Sequence, residues 1–240
     1  MDPLPPPRTG PPAGTRERIL RESSRLFAEK GYHGASTRDI AAAVGIRQPS
    51  LFHHFPSKRA ILEKLFEIDL AASLALTSEL ADQPGSAAVR LYRYVHAEAQ
   101  AIVSSPYDLT GLYRTGVLSD PEFAHWREAY DATLSSIAGI VAQGVRQGEF
   151  VDIDPMFVTD SVDGLLLHLL RLSGGSPPGR STGETEARRT ADFVLRALLR
   201  DPADLDDVRA EARRWAGPAR RRDVRGPDGP DTTEPPAASR

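Results

Sequence analysis

From Thr15 to Leu199 apolar residues recur at steps of three and four, with polar residues filling the positions between them. Side chains spaced in this way stack on one face of a helix, so the pattern predicts a succession of amphipathic helices. No alternating stretch of useful length predicts a strand, and no fixed-period repeat is present. The expected fold class is therefore all-α.

The first helix is expected to be capped by Thr15, to carry Ile19, Leu20, Leu26 and Phe27 on one side, and to stop at Gly31. Ser36 and Asp39 form a capping-box-like pair that starts a second helix near Thr37. Ile40, Ala41 and Val44 share one face of it, and Gly45 ends it as a residue that tolerates positive φ. Beyond that turn Ile46, Leu51 and Phe55 point back to the same core. Pro49 fits only in the first turn of the helix they define. Ser57 caps a fourth helix, through Ile61, Leu62, Leu65, Phe66 and Leu70 to about Ala81.

Pro84-Gly85-Ser86 separates this helix from one carrying Val89, Tyr92, Val95, Ala99 and Val103, which Ser105-Pro106 breaks. A short helical piece around Tyr107 to Val117 precedes Ser119-Asp120-Pro121, where a cap followed by proline opens a helix ending at Gly148. Asp154-Pro155 repeats that start signal for a helix through Val158, Val162, Leu165, Leu166, Leu169 and Leu172. Gly174 to Gly183 reads as a flexible loop, Ala187 to Leu199 as another amphipathic helix, and Asp204 to Trp215 as one last helix.

Two short helices crossed at a glycine turn, with the small Ala41 at the crossing, form a helix-turn-helix whose second helix enters the DNA major groove. Arg47, Gln48, Pro49, Ser50, Phe52 and His53 face outward from it. Here the chain resembles the TetR family of bacterial transcriptional regulators. Leu51-Phe52-His53-His54-Phe55-Pro56-Ser57-Lys58-Arg59-Ala60-Ile61-Leu62 is similar to the ending of that family's DNA-binding domain, and Gln48-Pro49-Ser50 to its recognition helices. Close resemblance covers roughly residues 15–66; beyond them it is architectural. The implied organisation is a disordered arm over 1–14, a three-helix DNA-binding domain over 15–60, and a larger helical ligand-binding and dimerisation domain over 61–200. A possible extra helix over 201–216 and a disordered tail over 217–240 follow.

Charge changes the picture once it is divided along the chain. The net charge of −3 argues against a nucleic-acid partner, but residues 1–65 carry +5 and the remainder −8. One end is thus suited to phosphate. There are no cysteines, which excludes disulfides, thiolate metal sites and a cysteine nucleophile. The N-terminus lacks the basic and apolar regions of a secretory signal, and the longest apolar run, Leu165 to Leu170, is far too short to span a bilayer. A cytoplasmic location and no membrane partner are expected. No G-x-S-x-G elbow, P-loop, H-E-x-x-H or dinucleotide-binding glycine pattern occurs, so neither catalytic residues nor a cofactor are expected.

Each DNA-facing residue has a chemical reason. Thr37 and Arg38, at the start of the helix crossing the backbone, suit a phosphate and, for Arg38, a base edge as well. Gln48 can bond adenine N6 and N7 bidentately, and Arg47 guanine O6 and N7. Pro49 and Ser50 offer an apolar contact and a small hydroxyl. Phe52 replaces the tyrosine common in the family and lacks its phenolic donor. His53 should face DNA and His54 the domain; adjacent helical positions point about 100° apart, so no metal site is expected from the pair. Lys58 should meet phosphate at the start of its helix.

In the second part, the helix from Pro155 to Leu172 is apolar nearly all round and must be buried on more than one side. In the family the last two major helices form the dimer interface. The resemblance implies that Leu165, Leu166, His168, Leu169, Leu172, Phe193 and Leu195 serve a homodimer placing two recognition helices roughly 34–36 Å apart on a double-stranded operator. It also implies a small-molecule effector whose binding releases DNA, with repression as the family default. Tyr92, His96, Gln100, Tyr113, Phe123, Trp126 and Tyr130 are the candidate pocket residues. The alternative is a dimeric ligand sensor acting through a protein partner. Steep salt dependence of DNA binding separates the two readings.

Overall fold

A computed structural model describes residues 14–113, 116–173 and 183–214. The arm over 1–13, most of the Gly174–Gly183 segment, Trp215 and the tail lie outside the described residues. The described elements are helices α1 (Thr15–Gly34), α2 (Thr37–Val44), α3 (Gln48–His54), α4 (Lys58–Phe66), α5 (Ala72–Asp82), α6 (Ala87–Ser104), α7 (Ala124–Gln147), α8 (Pro155–Ser173), α9 (Gly183–Leu198) and α10 (Leu205–Arg214). Among the described residues the only β pairing is an isolated bridge between Phe150 and Leu199. The fold is all-α, with an N-terminal helix-turn-helix unit followed by a larger helical domain.

Local chemistry sets most helix ends. Gly14, without a side-chain bond, occupies the cap position expected for Thr15, because Thr15 already lies inside the first turn. Gly31 interrupts α1 with φ 74° and ψ 160°, so the helix kinks there before Ala35. Ser57 accepts from the Ala60 amide, Ser86 from the Val89 amide and Asp120 from the Glu122 amide. Glu149 also reaches the start of α6, accepting from Ser86 Oγ at 2.6 Å and from the Ala87 and Ala88 amides at 2.9 Å. A carboxylate at that end satisfies orphan donors and suits the positive pole of the helix. Among the described residues of the piece expected over 107–117 the helical part is a 3₁₀ turn, Leu109–Gly111, since Pro106 and the Asp108 side-chain bond to Thr110 favour a turn there.

Between α4 and α5 the helix does not break. A π-helical turn, Glu67–Ala71, joins them, so a single rod runs from the DNA-binding unit to Asp82. At its far end Arg90 caps α5, donating to the Leu80 and Ala81 carbonyls at 3.3 and 3.2 Å and to Gln143 Oε1 at 2.7 Å. The last helix, α10, is held by Arg209, whose guanidinium grips Asp192 of α9 at 2.6 and 2.7 Å.

The two parts share one apolar core. Tyr32 packs edge-on against Phe27 and Phe123, with ring centroids 5.5 and 5.4 Å apart, and Phe66 stacks on Trp126 at 5.3 Å. The Leu109–Gly111 turn lies against α1 so closely that a Cβ on Gly111 would sit 2.6 Å from the Phe27 carbonyl carbon. The Asp108 amide also donates to Ser24 Oγ of α1 at 3.2 Å. Gly111→Ala should therefore force these backbones apart and cost about 1–3 kcal/mol, read as a lower thermal or urea midpoint.

Candidate nucleic-acid interface and effector cavity

The helix-turn-helix geometry is built by short-range bonds. Ser36 Oγ accepts from the Asp39 amide at 3.1 Å, while Asp39 Oδ2 accepts from the Ser36 amide at 3.0 Å. The bonds that Asp39 Oδ2 accepts from the Ser36 amide and from the Ser36 hydroxyl hold its carboxyl below the usual carboxylate range. At the other end of α2, Gly45 takes φ 75° and ψ 34°, and the Ile46 amide bonds back to Ala41 at 3.0 Å. Arg18 of α1 donates to the Val44 carbonyl, placing a cation at the negative end of α2. Ala41, Leu51 and Phe55 are buried in the crossing, which fixes the angle between α2 and α3.

On the outer side Arg38, Arg47, Pro49, Phe52 and His53 are exposed, and Thr37, Gln48 and Ser50 are half-buried. Phe52, at 42% exposure, is a large apolar side chain left open on α3. His54, expected to turn toward the domain, is exposed as well, because Leu51 and Phe55 take the buried positions of that turn. Gln48 Nε2 donates to Thr37 Oγ1 at 2.8 Å, joining the two helices across their outer surface. Many other cations of the basic N-terminal part are already paired. Arg21 meets Glu17, Arg25 meets Glu22 and Glu29, Lys30 meets Asp39, and Arg59 meets Glu63 and Glu122. Among the described residues Arg38 and Arg47 engage no carboxylate, so positive charge is left where α2 and α3 face outward.

Lys58 departs from expectation. Its ammonium points inward, donating to the Tyr32 carbonyl at 2.7 Å and the Ala35 carbonyl at 2.9 Å, and lies 4.3 Å from the Tyr32 ring centre. The kink at Gly31 leaves those carbonyls beside the start of α4, and the lysine satisfies them in place of phosphate. Burial lowers its pKa.

Within the helical domain, residues of the π turn and of α5, α6, α7 and α8 line a cavity of about 50 Å³. Tyr113 and Tyr130, of the seven residues singled out from sequence, line it. The other five lie elsewhere. Tyr92 bonds Asp192 and stacks on His96, His96 faces Glu184 at 3.2 Å, and Gln100 bonds Ser104. Phe123 and Trp126 pack at the junction with the DNA-binding unit. The reason is helical phase: residues at 92, 96 and 100 occupy the side of α6 away from Tyr94 and Glu98, which do line the cavity.

Asp69, Glu98 and Asp163 give that cavity three carboxylates, and no Lys, Arg or His lines it. The Tyr113 hydroxyl donates to Asp69, Ser73 to Glu98 at 3.0 Å, and Tyr130 to Asp163 at 2.5 Å. Burial raises the Asp163 pKa, with the Tyr130 bond opposing that shift. Burial, followed by the bond to Asp163, raises the Tyr130 pKa. Drug-sized ligands fill roughly 300 Å³ or more, so a large ligand needs side chains to move apart here. Sequence spacing missed Asp69, Ser73 and Glu98. Acidic residues between apolar neighbours, as in Ile68-Asp69-Leu70, were the available signal.

Of the expected dimer-interface residues, Leu172 and Phe193 are exposed, the latter at 67%, His168 is exposed, and Leu165 and Leu169 are half-buried. Leu166 and Leu195 are buried within the chain, Leu166 against the cavity and Leu195 in the core, so neither faces outward. Met156 and Phe157, not singled out from sequence, extend the exposed apolar side of α8.

Residues 19–65 match the family model described as "Bacterial regulatory proteins, tetR family". The chain is 28% identical over 206 residues to the HTH-type transcriptional repressor KstR2 of Rhodococcus jostii, covering 82% of this chain and 98% of that protein. The crystal structure of Mycobacterium smegmatis AmtR aligns with a TM-score of 0.69 at 26% identity, covering 88% of this chain and 99% of that one. A structure of AibR in complex with isovaleryl coenzyme A and operator DNA shares the fold, with a TM-score of 0.58 at 22% identity over 79% of this chain and 99% of that one.

Lys58→Met should lower stability by about 1.5–3 kcal/mol in urea unfolding, through the two carbonyls left unsatisfied, while leaving the salt dependence of DNA binding unchanged. Asp163 binds a proton more tightly folded than unfolded, so its contribution to stability is present at low pH and is lost as pH rises through the folded pKa. Asp163→Asn should therefore abolish that part of the stability loss when urea midpoints at about pH 4 and about pH 7 are compared.

Proposed function

We propose that the chain is a repressor of the TetR family of bacterial regulatory proteins, one that binds a pseudo-palindromic operator as a homodimer and releases it when a small molecule enters the helical domain. The observation that carries this reading is the α2–α3 unit, on which Arg38, Arg47 and Gln48 face outward while Arg21, Arg25, Lys30 and Arg59 are engaged by carboxylates. Arg47 and Gln48 carry the donor patterns that guanine and adenine accept in the major groove. Arg38 and the amides of α2 supply positioning contacts to phosphate.

Support for the dimer comes from the apolar outer side of α8 and α9, where Phe157, Leu172 and Phe193 are exposed in the single chain. A two-fold arrangement of that face presents two copies of α3 to one side of a duplex. Support for an effector comes from the cavity, which touches the rod leading to the DNA-binding unit through Asp69 and Ser73. AibR, which shares this fold, has been solved with an acyl coenzyme A and operator DNA together. A repressor acting on chromosomal DNA would work in the cytoplasm.

The test is binding of the purified chain to duplexes from upstream of its own and neighbouring genes, across a salt series. One fragment should bind selectively, with affinity falling steeply as salt rises, and an Arg38→Ala/Gln48→Ala variant should lose roughly a hundredfold. Equal, weak binding of wild type and variant to every fragment would overturn the operator reading in favour of a sensor that acts on a protein partner.

A further inference from the structure

We infer that Thr37 is a specificity-positioning residue: its hydroxyl orients the Gln48 amide so that α3 reads adenine and rejects guanine. The inference rests on the proposed base-reading role of Gln48. It starts from a bond between residues eleven positions apart, on two different helices, at the outer surface of the helix-turn-helix. Gln48 Nε2 donates to Thr37 Oγ1 at 2.8 Å.

A primary amide has two N–H donors and one carbonyl acceptor. With one N–H given to Thr37, Gln48 retains a single N–H and Oε1 for a base. Adenine offers N7 as acceptor and the N6 amino group as donor, which this remaining pair matches. Guanine offers two acceptors, N7 and O6, and needs two donors. An amide held by Thr37 has only one to give, and its Oε1 would face O6, oxygen against oxygen. Without that bond, the amide turns about its terminal torsion, which is broad and roughly two-fold, and presents both N–H groups instead.

Thr37 is itself well placed for this task. It occupies the first turn of α2, whose backbone the Ser36–Asp39 capping box holds, and its side chain is half-buried beside Gln48. As a β-branched residue it has few χ1 choices, so its hydroxyl is a firm anchor. A glutamine side chain left unanchored loses rotamer entropy on binding, and anchoring it beforehand removes part of that cost.

The experiment selects bound duplexes from a randomised DNA pool with the full-length protein, for wild type, Thr37→Val, Thr37→Ser and Gln48→Ala. Base preference is read at every position, and affinity for the winning duplex is measured across salt. Gln48→Ala should flatten the preference at one base pair of each half-site. At that same pair Thr37→Val, which keeps the shape and removes the hydroxyl, should lower the adenine-over-guanine ratio by about fivefold or more, with the salt slope unchanged. Thr37→Ser should restore the ratio. Three results would overturn the inference: Thr37→Val keeps the ratio at that pair, it weakens all sequences equally as a phosphate contact does, or it shifts preference only elsewhere. If Gln48→Ala changes no preference, the base-reading role of Gln48 fails first, and the positioning role of Thr37 falls with it. Melting curves for the four proteins separate loss of fold from loss of reading.

Discussion

The seat of the Lys58 ammonium, on the Tyr32 and Ala35 carbonyls and against the Tyr32 ring, is the contact on which the rest of the molecule depends. The chain must leave α1, turn, and enter α2 within a few residues, and the positive-φ kink at Gly31 makes this possible at the expense of helical hydrogen bonding. Lysine at the start of α4 supplies the missing donors. One charge thereby ties α1, the turn before α2, and α4 to a common point. Tyr32 continues the chain of contacts into Phe123, so the helix-turn-helix and the helical domain share a packed border. A rotation of one is felt by the other because close-packed aromatic rings do not slide freely.

Much of this architecture was legible in the chain. Ser36 with Asp39, Gly45, Ser57, Asp120-Pro121, Gly148 and Asp154-Pro155 mark helix boundaries through local chemistry, which depends on near neighbours and survives transfer to any fold. Facing was harder. Periodicity told that α6 has an apolar face and that α8 is apolar nearly all round, but not which neighbour each side meets. Tyr92 and Tyr94 are both buried, but against different neighbours, and only Tyr94 lines the cavity. Leu166 and Leu195 were indistinguishable by type from leucines on the outer face. Lys58 misled for a related reason: a cation at a helix start favours phosphate on local grounds, and the carbonyls it actually satisfies lie 23 and 26 residues away in sequence.

The two sites contrast in how they spend charge. On the DNA-facing side exposed arginines are left without carboxylates, which costs little in water and gives long-range attraction to phosphate. In the cavity, carboxylates are withdrawn from water and held by tyrosine and serine hydroxyls. For Asp163, burial disfavours the charged form, a cost that the Tyr130 hydroxyl partly relieves. Polar groups arriving in that space must compete with the tyrosines for the same oxygens. Such an exchange would be felt along the helix that bears Asp69 and Ser73, whose other end carries Lys58.

The π turn at Glu67–Ala71 gives that rod a property an unbroken α-helix lacks. Along a regular helix every residue added or removed turns all that follows by about 100°. The face offered to the DNA-binding unit and the face offered to the cavity would then be locked in phase. A turn wide enough to take up one residue more or less spares the rest of the helix that rotation, so a change of length confined to Glu67–Ala71 would leave Ile61, Leu62 and Leu65 before it, and Thr77 and Leu80 after it, facing the core as they do now.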